Sequence, residues 1–335
     1  WGEAWAWGPY MNGSIGPGSL TRAQAAMQKA LEYAPDHANA VERDLIETMA
    51  IRYIDRTDRT PRIAVDTTYA EAMAKVYSDH PNDLDVGFLF GEGLMILEPR
   101  RGNWDGERAE IQRIHGILED VLAQDITHPG VCHLYIHATE ASVDPFRAEA
   151  FADRLHEQDL GIGHIVHMPS HIFIQAGMWD DVSERNDASY AAALEIFEQQ
   201  DEIESETQRY FNARNLTHAL EWGQYGDLQR GDYAKARLWI KRLQQVIDES
   251  DGAERAANSL GLLRARYVVE SEEWETFPIT DDASLHELLA TALFIVNVKW
   301  LISTSVDLVS TPRTSTLSPS HNNTQLRQHW GNRER

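Results

Sequence analysis

The chain of 335 residues holds 14 histidines, and seven of them lie between positions 128 and 171. Their spacing says more than their number. His133 and His137 stand four apart, so on a helix they share one face, and Glu140 joins that face three residues later. His167 and His171 repeat the spacing, each 34 residues beyond its counterpart. Imidazole nitrogens bind Zn²⁺, Fe²⁺ or Cu²⁺ at about 2.0–2.2 Å, and three or four from neighbouring helices can close one site. Two histidines with a carboxylate would equally suit an open iron site. The same residue types also line polar grooves that hold a peptide or a small acid, so both readings stand at this point.

Other chemistry is thin. The segment from His133 to His137 has no Glu directly after the first His, so it is not a zincin helix. No nucleophile elbow, P-loop or dinucleotide fingerprint occurs. The single cysteine, Cys132, excludes an internal disulfide and a Cys-rich zinc module. A helix turns it by about 100° from His133, toward the core between helices. His37, His80, His115 and His156 read as solvated, and Trp5, Trp7 and Trp222 as core residues.

The elements that must hold these side chains are helices. Segments rich in Ala, Leu and Glu, with apolar residues three and four apart, alternate with short Pro/Gly/Asp breaks. The reading places helices over residues 20–34 (ended by Pro35), 67–78, 85–97 and 107–124, with a break at His128-Pro129. Pro169 is expected within the first turn of the helix carrying His167 and His171. Insertions are expected over residues 99–106 and 198–215.

Similar corners recur along the chain. Gly177 precedes Trp179-Asp-Asp-Val182, and Gly231 precedes Tyr233-Ala-Lys-Ala236; a related corner runs from Asp144 to Ala148. Ile114 to Ala148 and Ala148 to Val182 are both 34 residues. These corners and this period resemble the tetratricopeptide repeat (TPR). The signatures from His128 to Glu140 and from His164 to His171 are similar to a bacterial branch of TPR proteins with paired His-rich A helices. The resemblance runs from Trp1 to about residue 293. It implies an all-α, right-handed superhelix of antiparallel helix pairs with a concave groove. It also implies that A-helix positions 18, 15, 11 and 8 residues before the small residue of helix B line that groove. His133, His137 and Glu140 fall at 15, 11 and 8 before Ala148; His164, His167 and His171 fall at 18, 15 and 11 before Val182. His218, Glu221 and Tyr225 fall at 18, 15 and 11 before Ala236.

The expectation is therefore a metal site formed by His133, His137, His167 and His171. Glu140 would be a further ligand or a general base, Glu221 a catalytic or orienting carboxylate, and His164, His218 and Tyr225 outer or substrate-orienting groups. Glu92 is a further candidate for the groove. Such a site would suit Zn, Fe or Cu and a metal-dependent enzyme; the alternative is a scaffold whose groove holds a peptide.

The bulk composition sets the frame. A formal charge of −23 welcomes cations and repels phosphate backbones, so nucleic acid is not an expected partner. No stretch reads as a membrane span; the most apolar one, residues 288–302, is too short and contains Lys299. Residues 1–302 are read as one helical repeat domain that begins inside a helix, its own N-terminus and any export signal missing. Residues 303–335, basic and rich in Ser and Thr, are read as a disordered tail.

Overall fold

A computed structural model describes residues 19–54, 61–98, 106–158, 160–198, 206–249, 254–274 and 276. Every regular element among them is a helix, which bears out the all-α expectation. In chain order they are α1 (Ser19–His37), α2 (Ala40–Tyr53), α3 (Arg62–Asp79), α4 (Leu84–Leu97) and α5 (Ala109–Gln124). Then come α6 (Pro129–Thr139), a 3₁₀ turn (Pro145–Ala148), α7 (Glu149–Glu157), α8 (Gly163–His167) and α9 (Ser170–Ala176). The last are α10 (Trp179–Glu198), α11 (Glu206–Gln229), α12 (Tyr233–Glu249) and α13 (Glu254–Ser271). The readings of residues 1–18, of the apolar stretch 288–302 and of the tail 303–335 lie outside the described residues.

Local chemistry explains the boundaries. Asn39 accepts from the Glu42 backbone N–H at 2.9 Å while Glu42 accepts from that of Asn39 at 2.8 Å, a capping box that starts α2. Asp83 caps α4 by accepting from Val86 N–H. His128 does the same for α6 with its Nδ1 accepting from Val131 N–H at 3.2 Å, and Pro129 occupies the first turn, where no N–H is needed. Gly177 and Gly231 sit at the expected corners with φ of +70° and +74°, a left-handed backbone that side chains resist.

Some boundaries differ from the expectation. Pro35 lies inside α1, which continues to His37 before Asn39 restarts the chain. α3 begins at Arg62, five residues earlier than periodicity suggested. The stretched spacing before Ala236 is taken up by long helices, 20 residues in α10 and 24 in α11, with residues 199–205 outside the description. Residues 99–105 are also outside it.

The helices stack in order. Successive helices pack together from α1 to α8 and from α9 to α13, and contacts also reach past neighbours between α4 and α6, α6 and α9, α8 and α11, and α11 and α13. The second kind of contact sets α6, α8–α9 and α11 side by side, and these three segments carry the histidines. The core follows the stack as three successive clusters. α6 belongs to the middle one and buries Val131, Cys132, Leu134, Tyr135, Ile136 and Ala138, so it is apolar nearly all round, as an inner helix must be. No helix among the described residues is long and apolar enough to cross a membrane.

A candidate metal centre between three helical segments

The site is built on a break. Proline has no N–H to give, and the helix expected through His167 and His171 is in fact two, α8 and α9, separated at Met168-Pro169. The Phe173 N–H bonds to Pro169 O at 3.0 Å and restarts the ladder. The two imidazoles still meet across the junction, with ring centroids 4.9 Å apart. Gly163 lets α8 lie against α10, because a Cβ there would come within 3.0 Å of Ser189 O and 3.1 Å of Ala193 Cβ. Ser189 Oγ in turn donates to Gly163 O at 2.7 Å.

Six imidazoles converge. His133 lies 4.9 Å from His137 and 5.1 Å from His164 between ring centroids. His167 lies 4.4 Å from His218, and His137 lies 5.1 Å from His171. His137, His167 and His171 are buried, while His133, His164 and His218 are half-buried, so the cluster has a deep end and an accessible edge. Trp222, expected in the core, instead covers His171 at 4.4 Å and meets His167 edge-on at 5.0 Å.

Glu140 and Asn186 orient the rings. Glu140 accepts from Nδ1 of His137 at 2.7 Å and, with its other oxygen, from Nδ1 of His171. Asn186 is fully buried; its Nδ2 donates to Ser170 Oγ at 3.0 Å and Val182 O at 2.7 Å, so its Oδ1 accepts from His167 Nδ1 at 2.7 Å. His167 and His171 therefore carry their protons on Nδ1 and present bare Nε2 atoms to each other at 3.0 Å. Two lone pairs at that distance repel unless something positive sits between them. Asn186 was missed in the sequence because nothing in its surroundings marks it; it comes from α10, which holds none of the expected site residues.

Among the described residues, three groupings have ligand atoms mutually within 4.8 Å: His133, His137 and His164; His167, His171 and His218; and His137, Glu140 and His171. The four histidines expected to form one site are thus divided, and His164 and His218, expected to be outer groups, supply the third ligand of each all-imidazole set. Burial, with the neighbouring rings, holds His133, His164 and His167 well below the usual histidine range, which keeps them neutral and able to bind a cation. Burial opposes ionisation of Glu140, but its contacts with His171 and His137, whose ring N–H groups both donate to it, hold its carboxyl well below the usual carboxylate range.

The remaining candidates stand apart. Glu221 accepts from Ser259 Oγ at 2.5 Å and belongs to none of the groupings. Tyr225 packs edge-on against Trp179 and under Arg266. Glu92 is buried, its charge acts on Arg52 and Tyr69, and it belongs to none of the groupings. His115, expected in solvent, is buried because α5 packs on α6, where its Nε2 bonds to Ala138 O at 3.0 Å. His80 is half-buried against Asp44 at 2.7 Å, whereas His37 is exposed as expected. Cys132 faces the core, its thiol pushed up to about 12 chiefly by burial, so it supplies no thiolate. The sequence matches no family profile and no curated protein.

Proposed function

We propose that this chain is a TPR-like, right-handed stack of antiparallel helix pairs that binds a transition metal in its histidine cluster and uses it in metal-dependent catalysis. The observation that carries the reading is the pair of bare Nε2 atoms of His167 and His171, 3.0 Å apart, with both Nδ1 protons taken by Asn186 and Glu140. A metal bound at about 2.0–2.1 Å by two such nitrogens holds them about 2.9–3.4 Å apart, for angles between square and tetrahedral. A proton on His167 would be opposed by burial and by the neighbouring rings, which hold that imidazole well below the usual histidine range.

Outer ties from ring N–H to carboxylate and amide are what metal-binding histidines need to fix tautomer and aim. All-imidazole donors suit Zn, Fe or Cu rather than Mg or Ca. When bound, such an ion polarises a substrate oxygen as a Lewis acid. The half-buried edge formed by His133, His164 and His218 is the approach for a small substrate, and Trp222 walls the deep end against water. Glu140 serves as the group that orients two rings.

The test is elemental analysis of the purified, tag-free protein, followed by titration of the chelated form with Zn²⁺, Fe²⁺ and Cu²⁺. Stoichiometric metal is expected, reduced in His171→Ala and kept in His37→Ala. A protein that purifies metal-free and ignores all three ions overturns the reading, and a scaffold with a peptide-binding groove takes its place.

A further inference from the structure

We infer that the cluster is dinuclear: one ion held by His133, His137 and His164, a second by His167, His171 and His218, with Glu140 joining the two sets. The inference rests on the metal-binding reading above and adds its stoichiometry and architecture.

Three observations carry it. First, the two all-imidazole groupings share no residue, and each is complete with three ligand atoms within 4.8 Å of one another. One ion takes about four ligands from a closed imidazole site, so six converging rings exceed what a single centre uses. Second, each set contains its own pair of facing nitrogens at a coordination-edge distance: His133 Nε2 and His164 Nε2 at 3.2 Å, and His167 Nε2 and His171 Nε2 at 3.0 Å. A single ion between the sets would leave one of these close pairs without a cation. Third, Glu140 bonds Nδ1 of His137 in one set and Nδ1 of His171 in the other, so one carboxylate aims a ring at each ion.

The sets are neighbours. His137 and His171 rings lie 5.1 Å apart, and His164 and His167 rings 6.4 Å. Each set pairs deep rings with one or two at the accessible edge, so both ions would be reachable from the same side. Three imidazoles per ion leave coordination positions open, the arrangement of a reactive centre and not of a structural one. Two adjacent cations with open positions fit a substrate with two oxygens to engage, such as a phosphoester, a carboxylate or a dioxygen-derived ligand. The chain's −23 charge offsets the accumulation of positive charge that two ions bring.

The experiment loads the chelated full chain with Zn²⁺, desalts it, and reads zinc per chain by elemental analysis and native mass spectrometry. X-ray absorption then reads the mean number of imidazoles per zinc. Two zinc ions per chain are expected, each with about three imidazoles. His164→Gln and His218→Gln should each leave one, and the double variant none, with circular dichroism confirming that each variant folds. One zinc per chain with four imidazoles overturns the dinuclear inference and leaves the metal-binding reading intact. So does one zinc that survives both variants but is lost in His137→Gln and His171→Gln, since it would sit at the Glu140 grouping. Two zinc ions that survive both variants also overturn it, because they bind elsewhere. No zinc at all overturns both the inference and the reading beneath it.

Discussion

Glu140 has two oxygens and uses each on a different imidazole, which makes its replacement informative. Glutamine keeps the shape but has one oxygen, so it can satisfy only one of the two Nδ1–H donors. The other ring must turn its proton to Nε2, the side a metal needs. Glu140→Gln is therefore expected to weaken Zn²⁺ binding by about 10–100-fold without unfolding the chain, measured by competition with a chromophoric chelator. Unchanged affinity would mean that Glu140 does not set the tautomers. The rings also make the metal-free protein sensitive to pH. His133, His164 and His167 titrate below their ordinary value chiefly because they are buried, so the unfolded chain takes up protons that the folded cluster refuses. Stability is then full above about pH 6.5 and falls as pH drops beneath it, by up to about 1.4 kcal/mol per pH unit for each ring. Glu140, shifted down, contributes stability that is lost only at lower pH, below about 4.3. Urea midpoints of the chelated protein between about pH 8 and pH 5 check this, and a flat profile would contradict it.

At the scale of elements, the site depends on how closely α8 approaches α10. Gly163→Ala places a methyl group 3.0 Å from a backbone oxygen that cannot rotate away, so α8 must shift. A shift of a few tenths of an ångström moves both His164 and His167. The expected outcome is a loss of about 1–3 kcal/mol in stability together with weaker metal binding. Gly223→Ala is the comparison. Its Cβ would lie 2.4 Å from the Trp239 ring, so it should cost similar stability, but its strain falls between α11 and α12 on the side away from the imidazoles. Denaturation and metal titration of both variants separate the two effects, and equal losses of metal would show that α8 placement is not the controlling feature.

For the whole molecule, the cluster spans three segments that lie side by side in the stack, α6, α8–α9 and α11. A bound ion therefore ties layers that otherwise meet only through neighbour packing, as repeat arrays do. Metal is expected to raise the melting temperature, since a ligand at about 100 times its Kd adds about 2.7 kcal/mol. Scanning calorimetry before and after chelation measures the difference, and identical melting curves would place the ion outside the folded stack. The acidic surface adds a kinetic signature: uptake of Zn²⁺ should slow as ionic strength rises, because long-range attraction is screened beyond about 8–10 Å.

Much of this was legible in one dimension because helices have a fixed period. Spacing of four placed His133 with His137 and His167 with His171, and the 34-residue offset set the two pairs side by side, as the rings now lie. Glycine at the corners was readable because only glycine takes φ near +70° without strain. Partnership across segments was not legible. Whether His133 closes with His167 or with His164 depends on how α8 and α9 kink at Pro169 and on the tilt between neighbours, and no local pattern encodes either. Asn186 and Trp222 are part of the cluster only because α10 and α11 pack where they do, and Glu221 and Tyr225 turn to Ser259, Trp179 and Arg266 for the same reason. Periodicity decided which side chains share a face. Tertiary packing decided which faces share a centre, because that choice rests on rotations of a few degrees between whole helices.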